Sequence, residues 1–449
     1  MERGEMGNLS GASEPGRRRK SDLRGAIGAA TVARIAVLLT SFALVTISTR
    51  LVLKQAGTDE FGVIMLVSTI ALLFPFADLG LGASVMSEIG AKRVDASRLL
   101  ELRDLLGRVN RILTIVGTVI ILIGIALFVL NAWPAVLNVD GDDSFLNLAA
   151  TVTVMIFGVN VRLGVGYRVL IGLAKTHVAI LCQLATPVVT VALAGATFAG
   201  LVPPAFFATA YSLGLLLANS IMCTLASRAL GAPALSLRLY STNRGPATSL
   251  MRTSVPMLVI SVATPLALQS DRVVLAHVSS PSALTAYALI YQLYGPAYNL
   301  LTSAATPLWP HFARLRTRGG SDPWLKLTGG FALAGLITGG LLVLISPVYE
   351  LLVSTSHSAI LMQTAIAAGL LIFAQSTLLT SSMSLTTATG LTLQAALAVV
   401  ACVLSIGGSL ALASVLGAPG PLLASAAAVV IAQSVPLALL RKRLSGVVA

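Results

Sequence analysis

Twelve predominantly apolar stretches follow one another along this 449-residue chain, each long enough to cross a bilayer as a helix. A hydrocarbon core about 30 Å thick takes roughly 20 helical residues. Runs of that length lie near 26–53, 61–84, 109–130, 146–174, 177–199, 203–228, 254–276, 281–307, 327–346, 359–384, 391–413 and 419–440. Only 10% of the residues are charged and the mean hydropathy is +0.90, which excludes an ordinary soluble domain. The expected fold class is an all-α polytopic membrane protein, because only a helix or a closed barrel bonds all of its own backbone amides inside a bilayer.

A net charge of +13 would point to nucleic acid in a soluble protein, but here the cations fall in short clusters between apolar runs. Threading the spans back and forth gathers the basic tail (Arg17, Arg18, Arg19, Lys20, Arg24), residues 85–111, Lys175, residues 228–252, residues 314–326 and Arg441-Lys442-Arg443 on one side. The other side holds Lys54 and the acidic turn of Asp140, Asp142 and Asp143. The positive-inside rule predicts both termini in the cytoplasm and no nucleic-acid partner. Segment Ser87–Arg111 alternates charges with leucines at helical spacing, as an amphipathic helix lying at the cytoplasmic headgroups would. On the opposite side the longest loop, residues 131–145, is too short for an enzymatic domain. Cys182, Cys223 and Cys402 lack CxxC spacing, the histidines are unclustered, and Walker A, HExxH and GxSxG patterns are absent. Neither a metal, a cofactor nor a hydrolytic centre is expected.

An internal repeat divides the chain. Ser48-Thr49-Arg50-Leu51-Val52-Leu53, near the end of span one, matches Ser270-Asp271-Arg272-Val273-Val274-Leu275 near the end of span seven, and Glu60-Phe61-Gly62 parallels Ala286-Tyr287-Ala288. Two six-span halves of parallel orientation, 26–228 and 254–440, are expected, joined by a cytoplasmic linker at 229–253 and flanked by tails at 1–25 and 441–449. Parallel repeats about an axis along the membrane normal are a transporter architecture, with the substrate path between the halves.

The unusual feature inside the spans is charge. Arg34, Arg50, Arg162, Arg168 and Arg272 stand in apolar surroundings against two acids in comparable positions, Asp78 and Asp271. A guanidinium at the bilayer centre costs about 2.5–3.5 kcal/mol on insertion scales, so it faces protein or a water-filled cavity. At about 1.5 Å of rise per residue, Arg162 falls near the midplane of span four, with Arg168 nearer the cytoplasm. Arg34 shares a depth with Asp78, while Asp271 adjoins Arg272 and lies at the depth of Arg50, so each acid is either an ion-pair partner or a coupling group. The arginines in excess suit an anion, and the guanidinium fork matches phosphate oxygens. The structural alternative is that Arg34 and Arg50 snorkel to the interfaces, Arg272 pairs with Asp271, and Arg162 caps carbonyls of a broken helix. Tyr287, Tyr291, Tyr294 and Tyr298 share one face of span eight and serve either helix packing or a saccharide path. The polar run closing span ten, Gln375 to Ser384, has the same two readings.

Arg50, Glu60-Phe61-Gly62, Phe76-Ala77-Asp78-Leu79-Gly80-Leu81-Gly82, Asp271-Arg272 followed by Ala286-Tyr287, Pro307-Leu308-Trp309-Pro310 and Thr389-Gly390 together carry a family likeness. The chain resembles the bacterial polysaccharide transporters, the O-antigen-type flippases of the multidrug/oligosaccharidyl-lipid/polysaccharide exporter superfamily, over essentially its whole length. The resemblance implies two pseudo-symmetric six-helix bundles around a central cavity that opens alternately to each side of the bacterial cytoplasmic membrane. It implies as substrate a polyprenyl-diphosphate-linked oligosaccharide whose head crosses through the cavity while its tail stays in the lipid bilayer, and polysaccharide assembly enzymes as partners. Arg50, Asp78, Asp271 and Arg272 match recurring family positions; Arg162 and Arg168 rest on depth alone. Related drug/cation antiporters are expected to carry acids in the cavity, where this first span carries arginines. The alternatives are a cation-coupled multidrug exporter of the same superfamily and a membrane-embedded polysaccharide polymerase or glycosyltransferase, which would ordinarily carry a large external loop.

Overall fold

The computed structural model describes residues 15–69, 85, 89, 96–138, 144–173, 175–231, 247–306, 308–309, 312, 315, 323–353 and 359–444, of which 15–35, 96–101, 247–254, 359 and 442–444 are described as backbone. The helices are α1 (Pro15–Ser68), α2 (Ala96–Val129), a short α3 (Trp133–Leu137), α4 (Ser144–Leu163), α5 (Val165–Gly172), α6 (Thr176–Cys182), α7 (Ala185–Phe198), α8 (Ala210–Leu230), α9 (Ala247–Val278), α10 (Pro281–Ala305), α11 (Trp324–Val353), α12 (Ala359–Ser384), α13 (Ala388–Leu416), α14 (Pro419–Ala428) and α15 (Val435–Leu444). A 3-10 turn (Pro204–Thr209) leads into α8, and a π turn (Val429–Ser434) joins α14 to α15. No strand occurs among the described residues.

Ten stretches among the described residues are long and apolar enough to cross a membrane. α10, with 25 residues, has the length for another, its hydropathy lowered by four tyrosines, Gln292 and Asn299. The part of span 61–84 beyond residue 69 lies outside the described residues. Large apolar side chains stand exposed along α2 (Ile115, Leu122, Ile123) and α11 (Leu333, Leu336, Leu344, Val348). So much contiguous exposed hydrocarbon is tolerable only against lipid. The protein is a multi-pass membrane protein.

α1 is two arms. Gly57 takes φ 77 and ψ 179 inside it, a left-handed conformation that a residue without Cβ adopts cheaply. Thr49 and Met65, eight residues to either side, both reach Gln292 of α10, so the chain reverses at Gly57. The same reversal recurs at Ser279 and Ser280, where the Ser280 hydroxyl caps α10 by accepting from the Ala283 amide. Alternating helix directions bring Gly57, residues 130–138, Gly200, Ser279 and Gly417 to one side, the turn face, and the starts of α2, α9 and α11 and the end of α15 to the other, the tail face.

Helix packing falls into two sets. α2 lies on α4, α7 on α8 and on α1, and α4 and α5 on α8; α9 lies on α13, α11 on α12, and α14 on α12 and α13. The sets meet mainly where α1 crosses α10. Close approach of α11 and α12 depends on missing side chains: a Cβ at Gly339 would sit 2.7 Å from the Gly369 carbonyl oxygen, and one at Gly335 would collide with Ser376 Oγ.

Three expectations change. The segment up to Arg111 does not lie apart along the headgroups: from Ala96 it continues without a break into span three as α2, with Leu102, Leu106, Val109 and Leu113 buried. Span nine does not stop near residue 346, because α11 runs through Pro347 to Val353 and carries a buried acid, Glu350, that the two-acid count omitted. Arg441 is no solvated topology signal. It is buried, its guanidinium 5.0 Å from the Trp324 ring centroid and 5.8 Å from that of Phe312, because α15 continues the last span past it.

Gly339→Ala should lower the thermal unfolding temperature of the purified protein by several degrees, the overpacking cost being roughly 1–3 kcal/mol. Gly340→Ala, whose Cβ would meet nothing within 4 Å, should leave it unchanged.

Candidate functional site

The second repeat's arginine motif lies on α9, seven residues before its end at the turn face. Adjacent residues on a helix point about 100° apart, so Asp271 and Arg272 have different neighbours. Asp271 faces inward on its own set of helices and is fully buried. Its Oδ1 accepts from the Ser409 hydroxyl at 2.8 Å; its Oδ2 accepts from Ser425 at 3.3 Å and from Tyr287 at 3.2 Å. Ser405 and Ser425 bond each other at 2.7 Å. The carboxylate is thus held by hydroxyls, not by the arginine beside it.

Arg272 turns toward the other set. It is 5% exposed, and its Nη1 donates to Thr69 Oγ1 at 2.8 Å and to the Met65 carbonyl at 3.3 Å, both beyond Gly57 in the chain. Its guanidinium lies 4.7 Å from the centroid of the Tyr291 ring and 5.9 Å from that of Tyr287, a cation–π arrangement. Its Nε and the neighbouring Gln269 Oε1 are buried without hydrogen bonds, while Gln269 Nε2 donates to the Tyr291 hydroxyl at 3.2 Å.

The tyrosine face of α10 is a continuous ladder, with ring centroids 5.8, 5.2 and 5.9 Å apart from Tyr287 through Tyr291 and Tyr294 to Tyr298. Tyr287 and Tyr294 are buried, the latter donating to Gln375 of α12. Tyr291 and Tyr298 are half-buried. Most of the span-ten polar run serves packing: Ser376, Thr377, Ser382 and Ser384 donate to carbonyls of their own helix, and Ser381 accepts from Trp324 Nε1 at 3.2 Å.

The remaining predicted residues stand elsewhere. Arg50, the repeat counterpart of Arg272, is exposed, and one turn on Lys54 lies over the Phe198 ring at 6.0 Å. Arg162 is half-buried in the last turn of α4, just before the break at Gly164, and Arg168 is half-buried on α5, its guanidinium 5.6 Å from the Tyr167 ring centroid. The Arg34 side chain and Asp78, hence their pairing, lie outside the described residues. The fold therefore joins Asp271, Arg272 and the four tyrosines in one cluster and keeps Arg50, Arg162 and Arg168 on the other set of helices.

Sequence reasoning missed Ser409, Ser425 and Gln292. The first two were findable by depth: Ser409 lies seven residues before the end of α13 and Ser425 six after the start of α14, level with Asp271. Gln292 Oε1 accepts from Thr49 at 2.9 Å and from the Tyr349 hydroxyl at 2.7 Å, bridging both sets; no pattern in the chain announces it.

The family described as "Polysaccharide biosynthesis protein" matches residues 26–316. No curated protein matches the chain. Among solved structures the chain is similar to a multidrug resistance MATE family transporter of the MOP superfamily in its inward-facing conformation (TM-score 0.70, 14% identity, covering 93% of this chain and 98% of that one). It is also similar to the lipid II flippase MurJ in an inward closed conformation (0.63, 14%, 92% and 87%). A third is a MOP superfamily transporter from Pyrococcus furiosus whose binding pocket is described as having reverse polarity (0.58, 13%, 92% and 96%). At these identities the likeness is one of fold.

Asp271→Val should strip the acceptor from three hydroxyls. At roughly 0.6 kcal/mol for each such bond in a membrane interior, the loss is about 2 kcal/mol, read as reduced thermal stability in detergent; an unchanged unfolding curve would contradict the hydroxyl cage.

Proposed function

This chain belongs to the polysaccharide biosynthesis protein family, and we propose that within it the protein is a flippase that carries a polyprenyl-diphosphate-linked oligosaccharide across the bacterial cytoplasmic membrane by alternating access. One observation carries the reading. Arg272 is a buried guanidinium whose hydrogen-bond partners are a hydroxyl and a carbonyl, with tyrosine rings beside it. In a medium of low dielectric a cation so poorly neutralised attracts an anion, and its forked donors suit phosphate oxygens. The half-buried rings of Tyr291 and Tyr298 offer apolar surface to a sugar, alternating along the ladder with the buried Tyr287 and Tyr294.

On this reading the halves 26–228 and 254–440, joined through 229–253, rock against each other around the path of the head group. Arg34, Arg162, Arg168 and Arg50 supply positive charge at successive depths of the first half, and Arg272 supplies it on the second. With both termini cytoplasmic, the turn face is external and the tail face receives the loaded lipid from the assembly enzymes. The protein makes and breaks no bond of the substrate, so it is a transporter and not an enzyme. Asp271, enclosed by hydroxyls, is the candidate coupling group, with Asp78 the other.

A second reading, a cation-coupled multidrug exporter, draws on that same buried carboxylate. Two measurements, lipid-linked sugar translocation and dye resistance, separate them. In proteoliposomes with a labelled polyprenyl-diphosphate oligosaccharide, Arg162→Ala should slow translocation at least tenfold, the effect of losing a hydrogen bond to a charged group worth about 1.5–3 kcal/mol, while membrane expression stays intact. Normal translocation in that variant removes Arg162 from the site. Resistance to cationic dyes on expression, with no lipid-linked sugar moved, favours the exporter.

A further inference from the structure

We infer that Arg272 is the latch that holds the turn-face gate shut, and that an anionic lipid head opens the gate by taking the guanidinium away from the opposite half. The ligand in this inference rests on the flippase reading; the latch does not.

Among the described residues, three polar ties cross the seam between α1 and the second half near the turn face. The Thr285 hydroxyl donates to the Thr58 carbonyl. At the same point Gly62 has no room for a side chain, since a Cβ would sit 2.8 Å from Thr285 Oγ1 and 2.9 Å from the Pro281 carbonyl oxygen. Gln292 joins Thr49 to Tyr349 and sets its amide nitrogen 3.9 Å from Met65 Sδ. These two ties are neutral. The third, Arg272 to Thr69 and to the Met65 carbonyl, is charged and lies about 9 Å below the end of α9 at 1.5 Å per residue.

Burial of this arginine is not imposed by its place in the repeat. Its counterpart Arg50 occupies the matching position on α1 and stands exposed. What buries Arg272 is the seam: both of its hydrogen bonds end on the opposite half, and its Nε makes none. When α1 and α10 part, Arg272 loses both bonds together. It remains beside Tyr291 as a cation without an acceptor in a widening cleft. A diphosphate oxygen is a stronger acceptor for a guanidinium than a hydroxyl or a carbonyl is. A head group arriving between the halves therefore competes for the donors that close the gate, and its preference for the open arrangement supplies the differential affinity that a conformational shift requires.

The gate is read by pulsed electron spin resonance between labels on Asp59→Cys and Ser282→Cys, two exposed turn-face positions on opposite halves, with Cys182, Cys223 and Cys402 replaced by alanine, in lipid nanodiscs. The otherwise unaltered protein should give one short separation, and added undecaprenyl diphosphate should bring in a longer one. Arg272→Gln and, independently, Thr69→Val should each raise the open-to-closed ratio roughly tenfold without ligand, as expected for loss of a hydrogen bond to a charged group. The lipid should still shift Thr69→Val but no longer shift Arg272→Gln. The latch is refuted if both substitutions leave the distances unchanged; should Arg272→Gln fail to fold, Thr69→Val alone decides this. A full lipid response in Arg272→Gln refutes the competition while leaving the flippase reading intact. Opening by the substitutions, with no lipid response in the otherwise unaltered protein, overturns the ligand and keeps the latch.

Discussion

A bilayer interior offers a polar group nothing to bond with, so each amide, hydroxyl and guanidinium of this chain that lies at membrane depth must find its partner within the protein. The backbone meets that demand locally, by forming helices wherever it crosses. On the turn face the chain reverses at Gly57, Ser279–Ser280 and Gly417, where unbonded amides can reach water or a cap. Many small hydroxyls also meet the demand locally, by donating to a carbonyl of the preceding turn, as Ser376 and Thr153 do, but a carboxylate or a guanidinium has to recruit other helices.

That recruitment organises the second half and ties it to the first. Asp271 draws hydroxyls from α13, α14 and α10 and so stitches together the interior of its own half. One residue later, Arg272 finds its partners across the seam. Two adjacent charges thus act on different levels of the architecture: one holds a bundle together and the next holds two bundles against each other. Bonds within a half can persist through a rocking motion, whereas bonds across the seam have to break. This division is what the proposed alternating access requires of the chain, and it arises from the 100° step between neighbouring helix positions.

The first half handles its cations differently. Arg168 lies against Tyr167, Lys54 against Phe198, and Arg50 stands exposed at the end of its arm. A long cationic side chain lays its apolar stem along a neighbour and keeps its charged head in a polar space, whether interface or cavity. Arg441 shows the opposite outcome at the tail face, where Trp324 and Phe312 enclose a residue that charge counting alone assigns to solvent.

Much of the fold was legible because hydrocarbon imposes a length and a periodicity on any chain that crosses it. The positions of the crossing helices, the hairpin repeat around Arg50 and Arg272, and the tyrosine face of α10 all follow from residue type and spacing, and the depth of Asp271 even indicates the serines level with it. Limits appeared where context overrode composition: α2 absorbed an amphipathic segment, and α11 ran on through Pro347 to bury Glu350. The sequence by itself determined which residues lie at membrane depth and which helix face they share. Only the tertiary structure decided which neighbours they meet. That choice parted Asp271 from Arg272, buried one repeat arginine while exposing the other, and made Gln292 a bridge, because contact between helices depends on rotation and approach distance, and neither is written in the hydropathy of any single span.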